Sequence, residues 1–224
     1  MPHVTRNINR PVSELVAAVG RYGAATLHEA QGRRGAVSST IKPIAPNANL
    51  CGPAFTVDCA AGDNLMLQLA IAYAEPGDVV VVSAGAFSEA GAFGDLLCTA
   101  AVKKELGGLV IDTGVRDSMI LRTMGLPIFS YSICIKGTVK ETVGTINQPI
   151  SIGGQLVRPG DIVRGDDDGL VVIRADEAEM VVEKAEQREQ MEARKRERYL
   201  AGASVIDVNG LAEVIARKGI TFDD

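Results

Sequence analysis

The chain predicts an α/β fold on a largely parallel sheet, and three observations point there. Between residues 62 and 133 helix-like and strand-like stretches alternate, the order that generates parallel strands with helical crossovers. Val79 to Val82 places four β-branched residues in a row, the pattern of a strand buried on both faces. From Thr138 to Ile173 the character changes, and Gly and Pro punctuate short strands at Gly153-Gly154, Arg158-Pro-Gly-Asp161 and Gly165-Asp-Asp-Asp-Gly169. That stretch reads as antiparallel hairpins closing a small barrel or a second layer.

Taken in order, Val12 to Gly20 and Ala25 to Gln31 read as two short helices, and residues 52–60 as a strand through Pro53-Ala-Phe-Thr-Val-Asp-Cys59. Gly62-Asp63-Asn64 is a turn and helix start for an amphipathic helix from Leu65 to Ala74. After the turn Pro76-Gly77-Asp78 come the strand Val79–Val82, a helix from Leu96 to Glu105, and a strand from Leu109 to Asp112. A helix from Arg116 to Met124 ending at Gly125, then a strand from Pro127 to Ile133, complete the alternation. Asp176 to Leu200 is a long helix whose first part carries Met180, Val181 and Ala185, while its second part, residues 188–198, is mostly charged. A helix that polar is either a solvated face with i,i+4 pairs or an element reaching another subunit. The organisation expected is a core domain over residues 1–175 and a C-terminal helical extension over residues 176–224.

The whole chain excludes several functions. At 224 residues, with 46% hydrophobic and 23% charged residues, it is an ordinary globular protein of one large domain, with or without an extension. Its net charge of -5 argues against a general nucleic-acid binder. No secretory h-region follows Met1, and no apolar run approaches a membrane span, so a cytoplasmic protein is expected. Cys51, Cys59, Cys98 and Cys134 are widely spaced without a C-x-x-C and read as reduced, packed thiols. With His3 and His28 the only histidines, His-rich zinc sites and Ser-His-Asp triads lack material. Chemistry must come from carboxylates, Arg, Lys or backbone groups.

The sharpest candidates are Asp95 in Gly91-Ala-Phe-Gly-Asp-Leu-Leu97 and the pair Arg116-Asp117 in Gly114-Val-Arg-Asp117. A helix and a strand separate them, which can bring both loops to one end of a sheet, where α/β proteins bind ligands. Two carboxylates, a guanidinium and glycine-freed N–H groups there could hold a hard divalent metal and a small 2-oxo acid. The amides of Leu96 and Leu97, at a helix start, would face an anion. Plain helix caps beside a surface Arg are the alternative for both loops. Asp166-Asp-Asp168 reads as turn chemistry, Lys136 as a solvated lysine before a Schiff-base one, His28-Glu29 as a helix-surface pair, and Cys98 as packing before reactivity.

Several of these segments together, in this order and over nearly the full length, carry a resemblance. They are Ala25-Thr-Leu-His-Glu-Ala30, Gly62-Asp63-Asn64, Gly94-Asp-Leu-Leu97, the twenty-residue gap from Asp95 to Arg116-Asp117, Ile135-Lys-Gly-Thr-Val139, Arg158-Pro-Gly-Asp161 and Asp166-Asp-Asp-Gly169. The chain resembles the 4-hydroxy-4-methyl-2-oxoglutarate/4-carboxy-4-hydroxy-2-oxoadipate aldolases, divalent-metal-dependent pyruvate aldolases of protocatechuate and gallate breakdown. The resemblance implies a layered β/β/α sandwich like a phosphohistidine swivelling domain, assembled as trimers and hexamers. It implies that Asp117 ligates Mg²⁺ or Mn²⁺ and that Arg116 binds the substrate's carboxylate or 2-oxo oxygen. It further implies that the Gly94 loop presents the Leu96 and Leu97 amides to the pyruvate carboxylate, that Asp95 holds a water on the metal, and that Glu192 is supplied by a neighbouring subunit. Oxaloacetate decarboxylation is an expected side activity. The regulator of ribonuclease E activity A shares the core and is a protein-binding inhibitor; the extension and Glu192 favour the aldolase.

Overall fold

The structure is a computed structural model describing residues 3–85 and 88–222. In chain order the elements are β1 (His3–Val4), α1 (Ser13–Gly20), α2 (Ala24–Ala30), β2 (Lys42–Pro43), β3 (Leu50–Asp58), α3 (Leu65–Tyr73), β4 (Val79–Ser83) and β5 (Gly91–Phe93). Then follow α4 (Asp95–Lys103), β6 (Gly108–Val115), α5 (Ser118–Leu121), β7 (Ile128–Ile133), β8 (Thr145–Ile146), β9 (Ile150–Ile152), β10 (Gln155–Val157), β11 (Ile162–Asp166) and β12 (Gly169–Ile173). A 3-10 turn, Ala175–Glu177, leads into α6 (Ala178–Leu200), α7 (Val205–Asn209) and α8 (Ala212–Lys218).

The central sheet runs β1-β8-β3-β4-β6-β7-β2, and its middle strands β3, β4, β6 and β7 are mutually parallel. β3 joins two layers: its later residues pair with β4, while Leu50–Pro53 pair antiparallel with β11, which in turn pairs with β12. The valine run of β4 behaves as its composition requires. Val80 and Val82 enter a core with Phe55, Leu67, Ile111 and Leu121 under α3, α4 and α5. Val79 and Val81 enter a second core with Val110, Phe129, Ile152 and Val172, against the β9–β12 layer. Each such side chain withdrawn from water contributes roughly 1.5–3 kcal/mol, so both faces of the sheet are held. A third core lies beyond β11 and β12. Ile162, Val171 and Ile173 there meet Val19, Leu27, Ala178, Val181 and Ala185, so the first turns of α6 pack on α1 and α2. Two β layers with a helical layer on the central sheet form the β/β/α sandwich, and the C-terminal helix follows it.

One element departs from the expected bounds in an informative way. The helix expected over Arg116–Met124 is only Ser118–Leu121. Arg116 is still strand-like, donating its N–H to Phe93 O at 2.9 Å, and Asp117 is left-handed at φ 55° and cannot begin a helix. After Leu121 the bonds tighten to i→i−3 at Thr123 and Met124, and Gly125 at φ 80° ends the segment.

Candidate functional site

β6 is buried along its whole length and delivers Arg116 to the surface at its carboxyl end. The short strand β5, which the sequence did not suggest, lies parallel beside that end, pairing Gly91 with Gly114 and Phe93 with Val115. The two strands therefore leave the sheet together, and the residues that follow them meet. Asp117 Oδ2 accepts the N–H of Asp95 at 3.3 Å and lies 3.6 Å from Arg116 Nε. Gly94 allows this approach: a Cβ there would stand 2.5 Å from Asp117 Oδ2 and 3.1 Å from Arg116 Cγ and Nε.

α4 begins at this point, and its first backbone bond runs from Cys98 N to Gly94 O at 2.9 Å. The N–H groups of Leu96 and Leu97 thus belong to the helix's unpaired first turn, directed at whatever anion sits in front of it. Asp95 satisfies one of them itself: its Oδ1 accepts the Leu96 N–H at 2.8 Å. A ligand carboxylate that takes the Leu96 amide must displace the Asp95 side chain, which frees that carboxylate for other work.

The cleft in front of α4 has a volume of about 250 Å³. Asp95, Leu96, Leu97 and Arg116 line it, together with Asn64, Gln68, Gly137, Thr138 and Lys140. The segments that carry Asn64 and Lys140 are fastened by polar bonds. Asp63, 3% exposed, accepts the Leu65 N–H at 2.8 Å with one oxygen and those of Glu141 and Thr142 at 2.8 and 2.7 Å with the other. Burial works against ionised Asp63, but these N–H bonds outweigh it and hold its pKa below the usual carboxylate value. Asn64 donates from Nδ2 to Ala92 O at 2.8 Å and accepts from Gln68 Nε2 at 3.0 Å, tying α3 to the strand that leads into the Gly94 loop.

Gly94, Asp95, Leu96, Leu97, Arg116 and Asp117 are thus brought together. Glu192 lies elsewhere in the chain, on α6, paired with Arg188 at 2.9 Å, while Arg188 also reaches Glu29 at 3.6 Å. Among the described residues no group of three or more His, Cys, Asp and Glu stands ready to hold a metal. Two neighbouring carboxylates with open solvent in front are nevertheless a donor set that fits a hard oxygen-seeking ion which keeps several waters, such as Mg²⁺ or Mn²⁺, and not a thiolate-bound or imidazole-bound ion. Lys136 is exposed and paired with Glu89 at 2.6 Å. His28 Nδ1 sits 2.9 Å from Arg34 O, not on Glu29. The aspartate run fastens turns: Asp166 accepts from Ala24 N, and Asp167 accepts from Asn47 N and Ala48 N. Burial pushes the thiols of Cys51 and Cys98 up to about 11 and that of Cys59 to about 12. Asn64, Gln68 and Lys140 were not singled out by sequence; Asn64 stands in a turn motif, and Lys140 lies one residue beyond the Ile135–Val139 segment.

Fold and site together define a member of a known family. Residues 14–172 match the family described as "RraA-like: Aldolase/RraA", and the chain belongs to it. It is 40% identical over 137 residues to a Halalkalibacterium halodurans protein named "Putative 4-hydroxy-4-methyl-2-oxoglutarate aldolase", a match covering 61% of this chain and 65% of that relative, just under two thirds of its length. Among solved structures, Streptomyces coelicolor RraAS2, described as an unusual member of the RNase ES inhibitor RraA protein family, superimposes with a TM-score of 0.75 at 30% identity over 85% of this chain and 99% of that one. An uncharacterized protein from Pseudomonas syringae shares the fold with a TM-score of 0.82 at 24% identity, covering 91% of this chain and 96% of that one. Among the described residues no helix is long and apolar enough to cross a membrane.

Proposed function

We propose that the protein is a divalent-metal-dependent pyruvate aldolase. It cleaves 4-hydroxy-4-methyl-2-oxoglutarate, 4-carboxy-4-hydroxy-2-oxoadipate or both to pyruvate plus pyruvate or oxaloacetate, and decarboxylates oxaloacetate as a side activity. The observation that carries this reading is the meeting of the Gly94-Asp95 and Arg116-Asp117 loops around one carboxylate oxygen, at the start of α4. The similarity to a protein named as such an aldolase supports it.

In this reading the substrate's first carboxylate lies on the Leu96 and Leu97 N–H groups. Arg116 directs its planar guanidinium at the 2-oxo oxygen, where negative charge develops as the bond between carbons 3 and 4 breaks. Asp117 holds Mg²⁺ or Mn²⁺, which when bound supplies Lewis acidity at the 2-oxo acid. Asp95, displaced from the Leu96 amide, holds the water that takes the proton of the 4-hydroxyl as that carbon becomes a carbonyl. Carbon 3 then takes up a proton to give pyruvate. Glu192 joins the site from a neighbouring subunit of a trimer or hexamer, which gives the polar half of α6 its purpose. Pyruvate release from racemic 4-hydroxy-4-methyl-2-oxoglutarate, measured after EDTA treatment and again with Mg²⁺ or Mn²⁺, tests the reading. Metal-restored release is expected; no release with any metal would turn the reading toward a protein-binding regulator built on the same core.

A further inference from the structure

Asn64 caps α3 and Gln68 lies one turn further on, its backbone N–H donating to Asn64 O at 3.1 Å; both side chains line the cleft. The orientation of their two amide groups is set by a backbone group. The carbonyl of Ala92 in β5 can only accept, so the Asn64 atom 2.8 Å from it must be the donor Nδ2. That leaves Oδ1 as the Asn64 atom that meets Gln68. An oxygen with no hydrogen can be met only by a donor, so Gln68 presents Nε2 to it at 3.0 Å. The other polar atom of the Gln68 side chain, Oε1, has no hydrogen-bond partner among the described residues. Asn64 is itself held fast: it is 7% exposed, and its backbone N–H donates to Val139 O at 3.1 Å. Ala92, two residues before Gly94, thus fixes Gln68 through Asn64 and leaves one neutral acceptor oxygen free at the cleft. Such an oxygen accepts a hydrogen bond but does not take the proton.

We infer that Gln68 Oε1 accepts a hydrogen bond from the same water that Asp95 holds, and that Gln68 is a positioning residue for carbon–carbon cleavage. The inference rests on the aldolase reading. A water that takes the 4-hydroxyl proton must turn a lone pair toward it, and it does so when acceptors claim both of its own hydrogens. Asp95 and Gln68, which line the same cleft, are two such acceptors of very different basicity. As the bond between carbons 3 and 4 breaks, the hydroxyl proton passes to the water, and the hydrogen that the water directs at Asp95 passes to that carboxylate. The O–H electron pair becomes the second bond of the new carbonyl, and the electron pair of the broken bond stays with pyruvate as its enolate. The Gln68 amide holds the water's other hydrogen and takes no proton, so the proton has one path. Loss of CO₂ from oxaloacetate forms the same enolate with no proton taken from the substrate, and does not need the water turned.

The test is Gln68→Met in the Mg²⁺-loaded protein, with cleavage of 4-hydroxy-4-methyl-2-oxoglutarate and decarboxylation of oxaloacetate measured on one preparation. The ratio of the two kcat values is expected to fall roughly 10- to 100-fold, a part of what positioned proton transfer supplies. KM for the cleaved acid should be kept, because Gln68 touches the water and not the substrate. A variant that merely loosened the cleft would slow both reactions together. An unchanged ratio, whether both rates fall or neither does, overturns the inference and leaves the aldolase reading standing. Wild-type protein that cleaves no 4-hydroxy-2-oxo acid with any metal overturns the aldolase reading, and the inference with it. A second measurement needs neither metal nor substrate. In the ligand-free protein, solvent exchange of the Gln68 Nε2 protons, followed by isotope-edited NMR, should be slower than that of the exposed Gln187. Equal rates would mean that the Gln68 amide turns freely, and would overturn the inference.

Discussion

Gly94→Ala tests the site with a single methyl group. Gly94 has φ -139° and ψ -170°, extended backbone that alanine adopts freely, so the substitution costs nothing in backbone strain. What it does cost is space. The added Cβ would lie 2.5 Å from Asp117 Oδ2, so Asp117 must retreat by about 0.9 Å to reach ordinary contact at 3.4 Å, and Arg116 must yield by a few tenths of an ångström at Cγ and Nε. That movement removes the Asp95 N–H bond to Asp117 and shifts both groups that the aldolase reading sets against the 2-oxo acid. A misplacement near 1 Å costs on the order of 10²-fold in rate, so kcat/KM for pyruvate release should fall by about that factor, with weaker Mn²⁺ binding. Glycine-to-alanine changes at compatible backbone stabilise by roughly 0.4–1 kcal/mol through the unfolded chain, which offsets the local crowding and leaves Tm nearly unchanged. The assays are Mn²⁺ titration by electron paramagnetic resonance, steady-state pyruvate release and thermal melting. A folded Gly94→Ala protein with wild-type Mn²⁺ affinity and turnover would refute the claim that these two loops form one site.

Asp117→Asn keeps a side chain that tolerates the left-handed backbone at φ 55°, so loss of Mn²⁺ affinity in this variant reports charge and not backbone relief; unchanged affinity would move the metal elsewhere. Arg116→Lys keeps the charge and loses the planar fork, and kcat should drop about 10²-fold or more, by analogy with loss of an oxyanion donor. Asp117→Ala and Glu192→Ala, each inactive alone, should recover activity when their subunits are mixed and reassembled, because some interfaces then pair an intact Asp117 with an intact Glu192. No recovery in verified mixed oligomers, or full activity in a monomer by light scattering, would rule out a site shared between subunits.

Much of this architecture was legible in residues with strong local physics. The β4 valines specify a strand with two buried faces, and the helices flanking them follow from apolar periodicity and turn residues. The spacing of Asp95 and Arg116-Asp117 predicted that two loops would meet, and they do. What escaped was set by tertiary contact. β5 is three residues long and exists because β6 lies beside it. The helix after β6 starts late because Asp117 is left-handed at φ 55°. Asp63 reads locally as a helix-start residue, and it does bind Leu65 N, but its second oxygen fastens a loop nearly eighty residues away. For the same reason sequence drew the eye to Lys136, in the motif, when the lysine facing the cleft is Lys140. The self-capping of Leu96 by Asp95 is a side-chain rotamer, which no pattern of residue types encodes.

The Cys98 thiol gives the site helix a built-in chemical clock. It is fully buried on the inner side of α4, one turn past Gly94, and burial first, then the Asp95 charge, pushes it up to about 11. At neutral pH its reactive thiolate is scarcer than that of an ordinary free cysteine by roughly two to three orders of magnitude. Alkylation at Cys98 therefore waits for α4 to lift from the sheet, and its rate counts those excursions in solution without any introduced probe. A ligand seated on the amino end of α4, as the aldolase reading has it, would hold that helix down, and the slowing of the clock would measure how firmly it does so.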